Sequence, residues 1–187
     1  MTDTPVEGRP RQRPTVEQRG LWFEELDPEV TYEHRPGRTM TEYDNVLFSA
    51  LSMNPQALHL DAVYSATQPF GRQLVNSMFT LATLVGLSVA HLTRGTIVAN
   101  LGFSDVRFPA PVFHGDTLYG ESIVMDKRVS RSRPEAGIVT FEHTGRNQNG
   151  EVVAVATRQV MMLRSPDAQP LASEGRGTDA HRPDPPS

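Results

Sequence analysis

The sequence predicts an α+β domain in which an antiparallel sheet wraps around one long central helix. Three observations carry this expectation. Between Asn76 and Arg94 the residues Met78, Leu81, Ala82, Val85, Val89 and Leu92 recur at three- and four-residue steps, the period of a helix. Phe79, Leu84, Leu87 and Ala90 make the rest of that segment apolar too, so the helix is expected to be covered on nearly every side. Four runs rich in Val, Ile, Phe and Thr then follow, at 96–108, 117–130, 136–147 and 151–163. The links between them are short and built of turn residues: His114-Gly115-Asp116, Ser132-Arg133-Pro134 and Asn147-Gln148-Asn149-Gly150. Strands joined so tightly pair antiparallel, because parallel neighbours need a long crossover.

Taken in order, residues 1–18 are rich in Arg, Pro and Thr and have almost no apolar content, so a disordered tail is expected. The domain is expected over 19–165. It begins with the apolar segment Leu21-Trp22-Phe23-Glu24-Glu25-Leu26, turned by Asp27-Pro28. Val30 to Met40 reads as a first strand, broken or bent at Pro36-Gly37. Thr41 suits a helix N-cap, with Glu42 and Asp44 in the first turn, where the helix dipole favours acids. Val46, Leu47, Ala50 and Leu51 give that helix an apolar face. Pro55 disfavours helix at Asn54, so Asn54 to Asp61 is expected as a loop, followed by a short helix to Ala66. Pro69 to Arg72 connects it to the central helix over 76–93. Residues 166–187, rich in Pro, Asp, Gly and Ser, are expected to form a second disordered tail.

Composition removes several function classes. The net charge of −4 argues against a nucleic-acid surface. The absence of cysteine excludes disulfides, thiolate metal sites and cysteine nucleophiles. The six histidines show no paired spacing on one face, so no metal site is expected. Asn76, Ser77, Thr80, Thr83 and His91 interrupt the apolar helix, which argues against a membrane span. The N-terminus lacks the apolar core of a signal peptide, so a cytoplasmic location is expected.

The polar stretch around Asn54 to Asp61 is the one most suited to chemistry. His59 can take a proton from water near neutral pH. Asn54, five residues earlier, offers an amide to orient the ring or hold that water. The start of the central helix, at Asn76, Ser77 and Met78, presents free N–H groups able to stabilise an enolate oxygen. Base, orienter and oxyanion donor are what hydration of a double bond conjugated to a thioester requires. Elsewhere the plainer readings stand. Asp61 suits a helix cap, His114-Gly115-Asp116 a tight turn, and His143 a surface or cross-strand position. His91 sits where the end of the helix favours a cation.

Residues 41–163 carry further patterns. Thr41 to Ala66 contains Phe48, Ala50, Asn54, His59, Asp61 and Ala66. Phe70 to Met78 leads into the central helix. Val106-Arg107-Phe108-Pro109-Ala110-Pro111-Val112 is followed by Gly115-Asp116-Thr117-Leu118, and Asn149-Gly150-Glu151-Val152-Val153 fits a last hairpin. In these blocks the chain resembles the MaoC-like dehydratases, the R-specific enoyl-CoA hydratases of hot-dog fold. The resemblance implies a single hot-dog domain and a homo-oligomer, at least a dimer. It implies a hydro-lyase acting on an acyl-CoA substrate, with no cofactor beyond the coenzyme A of that substrate. There are departures from the family pattern. The catalytic Asp of the family falls on Asn54, its Asn-Pro on Gln56-Ala57, and its His-Gly before the helix methionine on Asn76-Ser77. Asn54 cannot accept a proton as a carboxylate can, so His59 would act as base largely alone.

The stretch Thr41…Asp44-Asn45-Val46-Leu47-Phe48…Met53-Asn54-Pro55-Gln56…Leu58-His59-Leu60-Asp61 is similar to the branch that hydrates branched dicarboxylic enoyl-CoA esters such as itaconyl-CoA or mesaconyl-CoA. On that resemblance His59, Asn54, Ser77 and Met78 form the catalytic set, and Arg72, Asn76 and Arg107 are candidates to bind substrate. For Arg107 an ion pair with Asp105 or Asp116 is the simpler expectation. Three alternatives stay open: a hydratase of simple short-chain enoyl-CoA, a hot-dog thioesterase, and a non-catalytic partner subunit.

Overall fold

Alternation of buried and exposed side chains turns the four Val- and Thr-rich runs into strands. The computed structural model, which describes residues 13–168, places them as β2 (Ile97–Arg107), β3 (Thr117–Val129), β4 (Ala136–Arg146) and β5 (Val152–Leu163). β1 (Tyr32–Thr39) precedes them, and all neighbours pair antiparallel in the order β1-β3-β4-β5-β2. β4 shows the two-residue period: Val139, Phe141, His143 and Gly145 are buried, and the residues between them only half-buried. The expected bend in β1 is a register shift between His34 and Arg38. Gly37 lies within it because a Cβ there would stand 2.6 Å from the Tyr119 ring. Residues 13–18 carry no helix or strand and are exposed. The remainder of the two expected tails lies outside the described residues.

Among the described residues a 3-10 turn, Phe23–Glu25, and four α-helices complete the domain: α1 (Glu42–Leu51), α2 (Ala57–Leu60), α3 (Ala62–Ala66) and α4 (Ser77–Ser88). A π-helical segment, Val89–Thr93, continues α4. α4 packs mainly on β3 and β1. Two apolar clusters lie against the sheet. One contains Leu26, Leu92, Val139, Phe141 and Met162. The other, nearer the start of α4, contains Met40, Val75, Leu84, Leu118 and Val153. None of the helices among the described residues is long and apolar enough to cross a membrane.

Two expectations about helix faces are corrected. Within this chain α4 is not covered on nearly every side. Thr80, Leu84 and Ser88 are buried, whereas Met78, Ala82, Gly86 and Ala90 form an exposed stripe at four-residue steps. One sheet covers one side of a helix, and among the described residues no other element covers the far side. In α1 the pattern is inverted: Asn45 and Ser49 are buried, while Val46, Leu47, Ala50 and Leu51 face outward. β2 is an edge strand with Val98, Leu101 and Phe103 exposed, and its pairing with β5 shifts register three times.

For His143 the surface reading is corrected, since it is fully buried, while its cross-strand alternative holds, opposite Ser122 of β3. It shares strand parity with Val139 and Phe141, so its ring faces the core, stacked on Phe141. Its Nδ1 lies 2.6 Å from Ser122 Oγ, which in turn lies 2.8 Å from His34 Nε2. His34 Nδ1, His143 Nε2 and Arg158 Nη1 are buried with no partner among the described residues. Burial pulls both imidazoles far down, His34 to about 4 and His143 to about 3; His91 adds to the first effect and Arg158 to the second.

Candidate active site

α1 begins as expected. Thr41 Oγ1 accepts the Asp44 N–H at 3.2 Å, and the Asp44 carboxylate reaches back to Thr41. After α1, Asn54 Oδ1 accepts the Gln56 N–H at 3.1 Å and closes a turn. The stretch expected as a loop then winds into α2, which carries His59. Asp61 caps α3 by accepting the Tyr64 N–H at 2.9 Å. Ser65 Oγ donates back to Ala57 O and Leu58 O, which fixes α3 against α2.

His59 Nδ1 lies 3.0 Å from the Leu74 carbonyl. A carbonyl only accepts, so Nδ1 carries the proton and Nε2 keeps its lone pair. The ring lines a cleft of about 320 Å³, whose other walls include Phe70, Val75, Ser77, Thr80, Phe108 and Val153. Ser77 opens α4, and its N–H has no acceptor among the described residues. It is therefore a free donor at the positive end of a twelve-residue helix, on the same cleft as His59. The Met78 N–H does not share that role, because Asn76 Oδ1 accepts it at 3.0 Å.

The remaining expected residues stand further out. Asn54 is half-buried and does not line the cleft. Asn76 is buried, with its side chain committed to the α4 cap and to Ser49 Oγ. The Arg72 guanidinium lies flat on Phe113, 3.6 Å from the ring centroid. Phe113 in turn meets the cleft-lining Phe70 edge-on, which puts Arg72 one ring away from the cleft wall. Arg107 is exposed at the end of β2, beside Phe108, and pairs with neither Asp105 nor Asp116 among the described residues.

Two residues of this region escaped the sequence reading. Asn45 is completely buried, and its Oδ1 accepts the Asn76 N–H at 2.8 Å. That bond fixes the amide orientation, so Nδ2 is the donor facing Leu74 O at 3.2 Å, His59 O at 3.3 Å and His114 Nε2 at 3.1 Å. His114 Nε2 must then accept, and the ring is neutral with its proton on Nδ1. Burial holds His114 below the usual imidazole range; Glu42 opposes the shift, while Arg72 and His59 add to it. The available signal was the pair Asn45 and Ser49, two polar residues on one face of α1.

Residues 24–147 match the family model described as a MaoC like domain. The chain belongs to the MaoC-like family. This MaoC-like chain is 29% identical over 164 residues to a mesaconyl-CoA hydratase from Haloarcula marismortui, covering 87% of this chain and 45% of that protein. Among solved structures, a putative MaoC domain dehydratase from Chloroflexus aurantiacus matches with a TM-score of 0.77 at 29% identity, over 92% of this chain and 47% of that one. A Mycobacterium tuberculosis protein with a double hot-dog fold matches with a TM-score of 0.72 at 24% identity, over 88% of this chain and 52% of that one. The single hot-dog domain expected of the MaoC-like resemblance is the fold observed. The chain spans about half the length of the curated relatives it matches.

Proposed function

We propose that this domain catalyses the reversible addition of water to an enoyl-CoA thioester. The observation that carries the proposal is the basic Nε2 of His59 on the same cleft as the free Ser77 N–H. His59 takes a proton from water as the oxygen adds to the β-carbon. The Ser77 N–H and the helix dipole hold the enolate oxygen, and the proton on His59 passes to the α-carbon. The sum is one water gained. The thioester already acidifies the α-carbon, so no step is routed through a metal or cofactor. Asn54 lies outside the cleft lining, and no step of the proposal runs through it.

The acyl group we propose is a branched dicarboxylic one of the itaconyl or mesaconyl type. It is supported by the name of the Haloarcula relative and by Arg72, a cation stacked one ring from the cleft wall. A short, simple enoyl chain is the second reading, favoured by the almost wholly apolar lining around His59. We also propose a homo-oligomer, at least a dimer. Its support is the exposed apolar stripe on α4.

A mass-resolved assay with itaconyl-CoA, mesaconyl-CoA and crotonyl-CoA tests the reading. Gain of one water on a dicarboxylic ester, lost in His59→Ala, is the expected result. Crotonyl-CoA turned over equally well would keep the hydratase and discard the dicarboxylate, and release of free CoA would indicate a thioesterase. In Arg72→Ala, turnover of the dicarboxylic ester is expected to fall about tenfold while crotonyl-CoA is unaffected, as loss of a hydrogen bond to a charged group predicts.

A further inference from the structure

The proposed chemistry needs His59 and the N-terminus of α4 at a fixed separation, yet they belong to segments nearly twenty residues apart in sequence. Chain connectivity does not hold them together, since the helix α3 and a connecting loop intervene. One amide does. Asn45, from α1, accepts the N–H of Asn76, the residue immediately before the free Ser77 N–H. Its other end donates to the backbone oxygen of His59 and to Leu74 O, the same oxygen that receives His59 Nδ1–H. Asn45 is thus the side chain that touches the backbone of the base, the carbonyl that sets its tautomer and the entrance to the oxyanion helix together.

We infer that Asn45 is the positioning residue of this site, holding the His59 ring and the α4 terminus in register. This rests on the hydration reading above. Asn45 touches no reacting atom and acts through its neighbours. Two features separate the role from ordinary packing. First, the residue is fully buried on a helix whose Val46, Leu47, Ala50 and Leu51 face outward, so packing alone gives no reason for an amide there. Second, all its amide contacts go to the 59–76 segment or to the 113–116 turn and none to the rest of the core. The two Nδ2 hydrogens are shared among the His59 and Leu74 carbonyls and His114 Nε2. Glu42 and Arg72 bear on its charge, and the neutral ring is the form that fits a donor.

The test compares the full-length wild type with Asn45→Ala and Asn45→Asp, by steady-state hydration of crotonyl-CoA and mesaconyl-CoA and by ¹⁵N-resolved NMR of the imidazoles. The wild-type His59 ring is expected as the Nδ1–H tautomer. In Asn45→Ala the tautomers should mix and kcat should fall about 100-fold, the scale of a misplacement near 1 Å, with KM little changed. Asn45→Asp keeps the volume and the acceptor for Asn76. It turns a carboxylate oxygen toward His114 Nε2, so His114 should titrate higher than in the wild type. The assignment is overturned if kcat stays at the wild-type value, or if activity falls only with the folded fraction while His59 keeps its tautomer. It is also overturned if His114 titrates unchanged in Asn45→Asp. Should the wild type hydrate neither ester, the hydration reading falls by itself, and the NMR shifts still support or overturn the positioning role.

Discussion

His59 donates its Nδ1–H to the Leu74 carbonyl 3.0 Å away, which makes Nε2 its basic nitrogen. The orienting partner is backbone, so no point substitution of a side chain removes it directly. His59→Ala and His59→Gln should therefore act on the base alone. A loss of about 10²- to 10⁴-fold in hydration rate is expected for either variant, the range of general-base contributions. Thermal melts should stay close to wild type, since the half-buried ring packs at the cleft wall and not in the core.

Acid should unfold this protein through His34 and His143. Both are buried neutral, with folded values near 4 and 3, whereas the unfolded rings titrate near the ordinary 6.5. A basic group depressed by folding stabilises the native state in full above its unfolded value. That stability is lost as pH falls from about 6.5 toward the folded values, at a maximum of about 1.4 kcal/mol per pH unit per ring. Denaturant midpoints measured from pH 7 to 4 should fall steadily, and His143→Phe should flatten the slope. Equal slopes in wild type and variant would sink this account.

Gly137 sits where a Cβ would run into the ring of Phe23. Phe23 is buried in the cluster with Leu26 and Phe141, so it has little room to retreat. Gly137→Ala should cost about 1–3 kcal/mol, the range for overpacking, read as a lowered denaturant midpoint with unchanged slope.

The stripe Met78, Ala82, Gly86 and Ala90 is expected to be covered by another copy of the chain. Ala82→Glu places a charge at its centre, and in a symmetric dimer the two charges would approach each other. The variant should elute later than the wild type in size-exclusion chromatography and scatter as a smaller species. An unchanged mass would remove α4 from the contact surface.

The fold was legible because it rests on periodicity. The three-and-four pattern of 76–94, the β-branched runs and the turn residues between them each report local geometry, and each produced its element to within a few residues. Which side of an element is covered depends on what arrives from elsewhere. Hence the exposed side of α4, the inverted faces of α1 and the burial of His143 were misread. Strand parity with Phe141 could have corrected the last. At the candidate site, His59 and Ser77 line one cleft, and both could be singled out because a titratable ring after a proline turn and a helix start are local signals. Asn45 was missed because its role consists of contacts to residues 14 to 69 positions away, which no local pattern encodes.

The three register shifts along β2 bear on how the domain survives at high concentration. A long, flat outer strand is a template on which further chains can stack without limit. Each bulge bends and twists β2, so its outward N–H and C=O groups do not form an even row. Val98, Leu101 and Phe103 can then meet one surface of matching curvature, while the repetitive growth of a fibril finds no regular edge to copy.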